Sequence, residues 1–166
     1  MAAKPKTVYS HSGDKNRYEL DWEEVEGELV NSQMYWITSL QDGIPHTVPV
    51  IGVWYEGALY SCNPRSEQKY KNLKENSVCQ ALMGSSQLNG GLDVAVHGHA
   101  EEVEDMGGRT LFAEHLNAKY PPSWQGFDGA EEDMWVYRVV PTHIRAFHRE
   151  NPLASARFDF PAGNDA

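Results

Sequence analysis

Cysteine is nearly absent from this chain. Cys62 and Cys79 are the only two in 166 residues, which excludes a disulfide framework and leaves no C-x-x-C zinc pair. Both are expected to be reduced and structural. Apolar residues never run to the ~18 in succession that a membrane span needs. The opening Met1-Ala2-Ala3-Lys4-Pro5-Lys6 leads into polar residues where a secretory signal would place its apolar stretch. Positive charge is scarce as well: Lys and Arg number 14 against 24 Asp and Glu, a net −10, so a duplex nucleic acid would meet no general cationic face. From these absences a cytoplasmic protein is expected, with neither membrane nor nucleic acid as partner. What is present suits a globular domain, with 40% hydrophobic and 11% aromatic residues in a length that fits one compact unit.

Residues 1–18 mix Lys, Ser, Gly, Asp and Asn without apolar periodicity, which predicts a loose arm. Residues 19–160 are expected to form the single domain and 161–166 a tail. Leu20, Trp22, Val25 and Leu29 recur at helical spacing among glutamates, so 19–31 reads as a helix. The aromatic and β-branched run Met34 to Thr38 predicts a strand over 33–40. Asp42-Gly43 and Glu56-Gly57 supply two tight turns, predicting strands over 44–55 and 58–62. Pro45 and Pro49 cannot donate to a ladder, so the second strand should be bent or lie against something other than a neighbouring strand. A helix is expected from Asn63-Pro64-Arg65-Ser66 through Lys74, strands over 78–83 and 92–103, and a helix over 111–120 stopped by Pro121-Pro122. Two late strands, 134–140 and 144–147, should flank Pro141. Six or seven strands with few helices make a mainly β protein, a small antiparallel barrel.

The clearest chemical logic lies in Ser66-Glu67-Gln68-Lys69-Tyr70-Lys71-Asn72-Leu73. Ser66, Lys69 and Asn72 are three apart, so on a helix they share one side, near an N-terminus whose free N–H groups favour anions. Arg65, Lys69, Lys71 and Lys74 against Glu67 give a local +3 in an acidic chain, which suits a phosphate. Lysines facing water on a capped surface helix fit the same spacing.

The motif order then carries a resemblance. Trp36-Ile37-Thr38, Asp42-Gly43-Ile44-Pro45-His46, Pro49 through Trp54, Gly57-Ala58-Leu59-Tyr60, Ser66-x-x-Lys69-x-x-Asn72-Leu73, Gly98-His99-Ala100-Glu101, Pro141 through Phe147 and Ala156-Arg157-Phe158 succeed one another over residues 33–160. As an ordered set they resemble the pyridoxamine 5'-phosphate oxidase-like split-barrel family of flavin and deazaflavin oxidoreductases. The resemblance implies a six-stranded antiparallel split β-barrel, Greek-key-like, forming a homodimer with cofactor at the interface. Val48, Pro49 and Val50 would lie along the ring, Ser61, Ser66 and Lys69 would hold the phosphate with Asn72 in support, and Phe147 and Arg157 would stand near ring and substrate. Ile44 and Ala156 depart from the family pattern. Val48 and Val53 stand where true pyridoxamine-phosphate oxidases carry Arg and Lys, which points away from vitamin B6 phosphates. Coenzyme F420 then stands beside FMN, slightly ahead, as the cofactor of hydride transfer with a small organic substrate. No catalytic residue is assigned: Tyr60 or His46 could donate a proton, but either is more often a barrel residue with a satisfied hydrogen bond.

Other readings compete. A flavin or haem carrier without turnover would use the same fold, with His143 or His148 near the iron. His97 and His99, two apart on a strand, together with Gly91 and Glu104 match part of a cupin metal pattern, whose closing Gly is replaced by Leu111. Trp22, Trp36, Trp54, Trp124 and Trp135 suggest base stacking, against which stands the acidic total.

Overall fold

A computed structural model describes residues 4–12, 19–88, 91–149 and 154–161. They form nine antiparallel strands and three α-helices in the order β1 (Lys6–Ser12), α1 (Trp22–Asn31), β2 (Tyr35–Gln41), β3 (Ile44–Val50), β4 (Val53–Tyr55), β5 (Ala58–Pro64), α2 (Gln68–Glu75), β6 (Val78–Met83), β7 (Leu92–Glu102), α3 (Met106–Lys119), β8 (Met134–His148) and β9 (Ala154–Asp159). The mainly β expectation holds.

Both predicted hairpin turns form because their central residues accept positive φ. Asp42 and Gly43 lie at 52° and 78°, Glu56 and Gly57 at 51° and 76°. Each sets the register of its hairpin, Gln41 opposite Ile44 and Tyr55 opposite Ala58. Around the sheet the strands run β4-β5-β8-β7-β6-β2-β3, so its two ends are consecutive in sequence. Ile51-Gly52 joins them and closes the ring. A Cβ on Gly52 would come within 2.6 Å of the Tyr60 carbonyl, so only glycine lets the chain turn there. The expected 44–55 strand is thus two strands around this bend. Counted as one, they leave a six-stranded barrel.

β8 makes the split. It pairs with β7 over residues 137–148, while its other edge meets β5 over residues 134–139 and β9 over 143–148. Pro141 does not divide it into two strands as expected. A bulge opposite His97 and Gly98 absorbs the irregularity, and Gly98 passes so close that a Cβ would sit 2.0 Å from the Val140 carbonyl oxygen.

Other boundaries also shift. Asp21 caps α1 by accepting from the Glu24 amide at 2.9 Å, so that helix starts at Trp22. β5 runs on through Pro64, which delays α2 to Gln68, and the Asp105 cap starts α3 at Met106, earlier than the predicted 111. The expected arm is ordered over Lys6–Ser12, where β1 pairs with β9; residues 1–3 and 13–18 of that arm and 162–166 of the expected tail lie outside the described residues.

Two packed regions result. Trp22, Val25 and Leu29 of α1 fill the barrel with Ile37, Val96, Val139, Ile144 and Phe158. Trp22 meets Phe158 and Trp54 edge-on at 5.4 and 6.3 Å. Phe112 and Leu116 of α3, with Tyr120 just after it, pack outside it on Val53, Tyr60 and Val136. No helix among the described residues is long and apolar enough to cross a membrane.

Candidate functional site

A pocket of about 430 Å³, within the usual ~300–1,000 Å³ range for small ligands, opens where β3, β5, α2 and the loop before β8 converge. Pro49, Val50 and Ile51 form one wall and Cys62, Asn63 and Pro64 another. Met34, Leu116, Trp124, Phe127 and Met134 add apolar surface, and Glu67 and Lys69 supply charge.

Lys69 is the central feature. It is 4% exposed, and burial holds its amine below the ordinary lysine range, against the partly restoring pull of Glu67. Glu67, half-exposed, is its only ion-pair partner among the described residues, at 3.5 Å. Opposite charge is sparse here, so an arriving anion would meet a desolvated ammonium. Asn63, 3% exposed, adds a second unfulfilled group. Its Nδ2 donates to the Pro64 carbonyl at 2.9 Å, which can only accept and so fixes the amide's orientation, while Oδ1 has no partner among the described residues. The Cys62 thiol is pushed up to about 11 by burial and stays protonated at neutral pH. Cys79, also free, is pushed up to about 12.

Of the cofactor-binding residues expected from the sequence, Pro49, Val50 and Lys69 line this pocket. Val48 packs partly into the core. Ser61 is fully buried and donates to the Ile51 carbonyl at 2.8 Å, tying the bend to β5. Ser66 precedes the helix and is exposed, so the predicted shared face of Ser66, Lys69 and Asn72 does not form. Asn72 is buried the other way, donating to Ser39 at 3.0 Å and accepting from Gln68 at 2.8 Å, which anchors α2 to β2. The local +3 is also reduced. Glu102 of β7 reaches across to pair with Arg65 and, at 3.1 Å, with Lys74.

Phe147 and Arg157 lie elsewhere, on the outer face of the sheet. Cross-strand register puts Pro49, Trp36, Leu82, Ala95, Arg145 and Arg157 in one row, with Phe147 two residues beyond Arg145. Trp36 and Leu82 are 44% and 42% exposed there, and Phe147 and Val78 are exposed as well. Such a face on a folded chain marks an interaction surface. In the neighbouring row His97 stacks on His143, centroids 4.4 Å apart and planes within 8°. His99 is held by Glu101 at 2.9 Å. No group of three metal-ligating side chains occurs among the described residues. It is the split-barrel strand order that departs from the cupin reading. Tyr60 stacks on Tyr55 at 3.9 Å, and neither it nor His46 lines the pocket.

Sequence reasoning marked the loop between α3 and β8 as a place where substrate would be selected but missed what holds it in place. Arg109, 7% exposed, donates to the carbonyls of Gly129, Glu131 and Met134 at 2.7, 2.7 and 3.2 Å. Asn117 binds the Phe127 carbonyl at 2.9 Å. These contacts hold the pocket's Trp124 and Phe127 wall in place. A Gly/Asp/Glu-rich stretch carries no periodicity that would announce this role.

No family model matches the chain, and no curated protein matches it. Solved structures do. A Listeria innocua protein provisionally named a pyridoxamine 5'-phosphate oxidase shares 21% identity over 75% of this chain and 95% of its own, with a TM-score of 0.63. The FAD binding protein of Mycobacterium smegmatis shares 20% over 85% and 97%, at 0.57. An F420 reductase shares 24% over 72% and 94%, at 0.58. The fold is the pyridoxamine 5'-phosphate oxidase-like split barrel, as the motif order implied.

Proposed function

We propose that the protein is a cytoplasmic homodimeric oxidoreductase that holds a flavin-type cofactor, coenzyme F420 or FMN, in the pocket beside β3. The observation that carries this reading is the meeting of the buried Lys69 ammonium and the unpartnered Asn63 carbonyl in one apolar-walled pocket. The two groups fit a ligand with an anionic tail and a ring N–H, which the neighbours' FAD and F420 both present. Bound there, the cofactor would supply hydride transfer to or from a small organic substrate, and the protein would supply binding, orientation and exclusion of water.

Lys69 receives the phosphate, with Glu67 free to swing toward water and Ser66 at the mouth. Ser61 and Asn72 act behind it, fixing the Ile51 bend and the seat of α2. Val48, Pro49 and Val50 lie along the ring. β3 ends the sheet path, so its outer edge, where Pro45 and Pro49 bring no donors, is open to a ligand. Phe147 and Arg157 reach a cofactor only from a second copy docked on the Trp36 and Leu82 face.

Separate titrations of the purified protein with FMN and F420 test the reading, followed by changes in ring absorbance. One of them is expected to bind in the micromolar range or tighter. Tight binding of neither would overturn the proposal.

A further inference from the structure

A second pocket, of about 410 Å³, lies away from the first, between the end of α1, β4 and the end of α3. Val30, Val53, Trp54 and Ala118 give it apolar surface, and Asn31 and Gln33 add polar surface. Two chemically active side chains of α3 line it, His115 and Lys119. Four residues apart on the helix, they stand one turn above the other on the same face.

Lys119 differs from a surface lysine in its surroundings. Its Nζ donates to the Tyr35 hydroxyl at 3.1 Å and to the Gly52 carbonyl at 3.0 Å, and it lies over the rings of Tyr35 and Tyr120 at 5.2 and 5.7 Å. No carboxylate pairs with it among the described residues. The other titratable groups about it are Tyr35 of β2, Tyr120 and His115. Burial raises both tyrosines, so they stay neutral, and Glu26 of α1 is held by the Trp54 indole.

The Tyr35 hydroxyl keeps a bond of its own, donating to the Leu29 carbonyl. The Tyr120 hydroxyl has one hydrogen for two carbonyls, Gln33 at 2.8 Å and Gly52 at 2.9 Å, and can turn it to Gly52 when the amine leaves. Departure of the amine then costs one hydrogen bond, at Gln33, a residue exposed to solvent.

We propose that this pocket is a carbonyl-binding site, in which the Lys119 amine condenses with a small aldehyde or ketone to form an imine and His115 relays the protons. Nitrogen bonds to the carbonyl carbon and gives up its two hydrogens, and the carbonyl oxygen leaves with both as water. No oxidant or reductant takes part. The Val30, Val53 and Trp54 surface favours a compact, uncharged carbonyl compound. Burial alone brings the amine down to about 8, so near that pH about half of it is the neutral nucleophile, where an exposed lysine is neutral to under about 1%.

The test uses the full chain without any cofactor, and so stands apart from the flavin reading. Protein is treated with propionaldehyde and cyanoborohydride, and each lysine's alkylation is followed by peptide mapping from pH 6.5 to 10.5. Lys119 is expected to react at least ten times faster than exposed Lys71 and Lys74 at pH 8, with a midpoint near 8. His115→Gln should slow Lys119 several-fold and leave Lys71 unchanged, and Lys119→Arg should abolish the fast site. Labelling of Lys119 no faster than that of Lys71, or a midpoint above 10, would overturn the proposal.

Discussion

Replacing Lys69 by Met separates a ligand-binding role from a structural one, because the two make opposite demands on stability. The side chain is 4% exposed, its amine is pushed down by burial, and its only charged partner among the described residues is Glu67 at 3.5 Å. Loss of a pair whose acidic member is half-exposed costs at most about 1 kcal/mol. Removal of a desolvated ammonium returns a similar amount, since methionine fills the space without the solvation penalty. Stability should therefore stay level or rise. Cofactor affinity should move the other way, losing one charge-assisted contact of about 1.5–3 kcal/mol, which is roughly ten- to a hundredfold in Kd. Urea unfolding of the free protein and a titration with the better-binding cofactor measure the two effects on one preparation. A proton linkage adds a third reading. The anion pulls the lowered amine back up, so binding takes up protons, and affinity falls as pH climbs past the amine's value in the free protein. Unchanged affinity with stability lowered by more than about 2 kcal/mol would show the amine to be a strut and refute the assignment.

The glycines give a pair of opposite signs. Gly98→Ala forces a Cβ against backbone at the β7–β8 bulge and should destabilise by about 2–4 kcal/mol, whereas Gly27→Ala, with nothing within 4 Å in the middle of α1, should stabilise by about 0.5–1 kcal/mol in thermal melts. Trp36→Asp with Leu82→Glu should turn a dimer into a folded monomer, seen by sedimentation with unchanged circular dichroism, because both side chains are exposed within one copy. The stacked histidines set an acid limit. Burial first, then His143, Arg145 and Arg157, lower His97; burial, Arg157 and Arg145 lower His143. The native state resists protons that the unfolded chain takes up below about 6.5. Stability should thus be level above that pH and fall below it, a slope that His97→Gln with His143→Gln flattens in urea titrations at pH 7.5 and 5.5. The loss from Glu102 comes lower, near its ordinary carboxylate range, because Arg65 and Lys74 outweigh the burial that would raise it.

What the sequence disclosed and what it concealed follow from the reach of each interaction. The hairpins at Asp42-Gly43 and Glu56-Gly57 were legible because a two-residue turn demands positive φ from the residues that make it. The strands and the buried face of α1 were legible because period and burial are local. Pro141 misled because the remedy for its missing N–H lies across the sheet, in a bulge at Gly98 forty-three positions earlier. The candidate site divides along the same line. Pro49, Val50 and Lys69 share a pocket, and their types had marked them: two on a strand with prolines at its edge, one a lysine inside an otherwise polar helix. The helical argument for Ser66 failed because β5 kept its hydrogen bonds through Pro64 and delayed α2, so a spacing of three from Ser66 was never a helical spacing. Asn63 and Arg109 could not be seen at all. One matters through an acceptor left without a donor, the other through three carbonyls twenty to twenty-five residues away, and neither property resides in a residue's type or its period. A phosphate-binding motif read as charge alone would have kept Arg65 and Lys74, the two cations that Glu102 already engages. It is burial that distinguishes Lys69 from them.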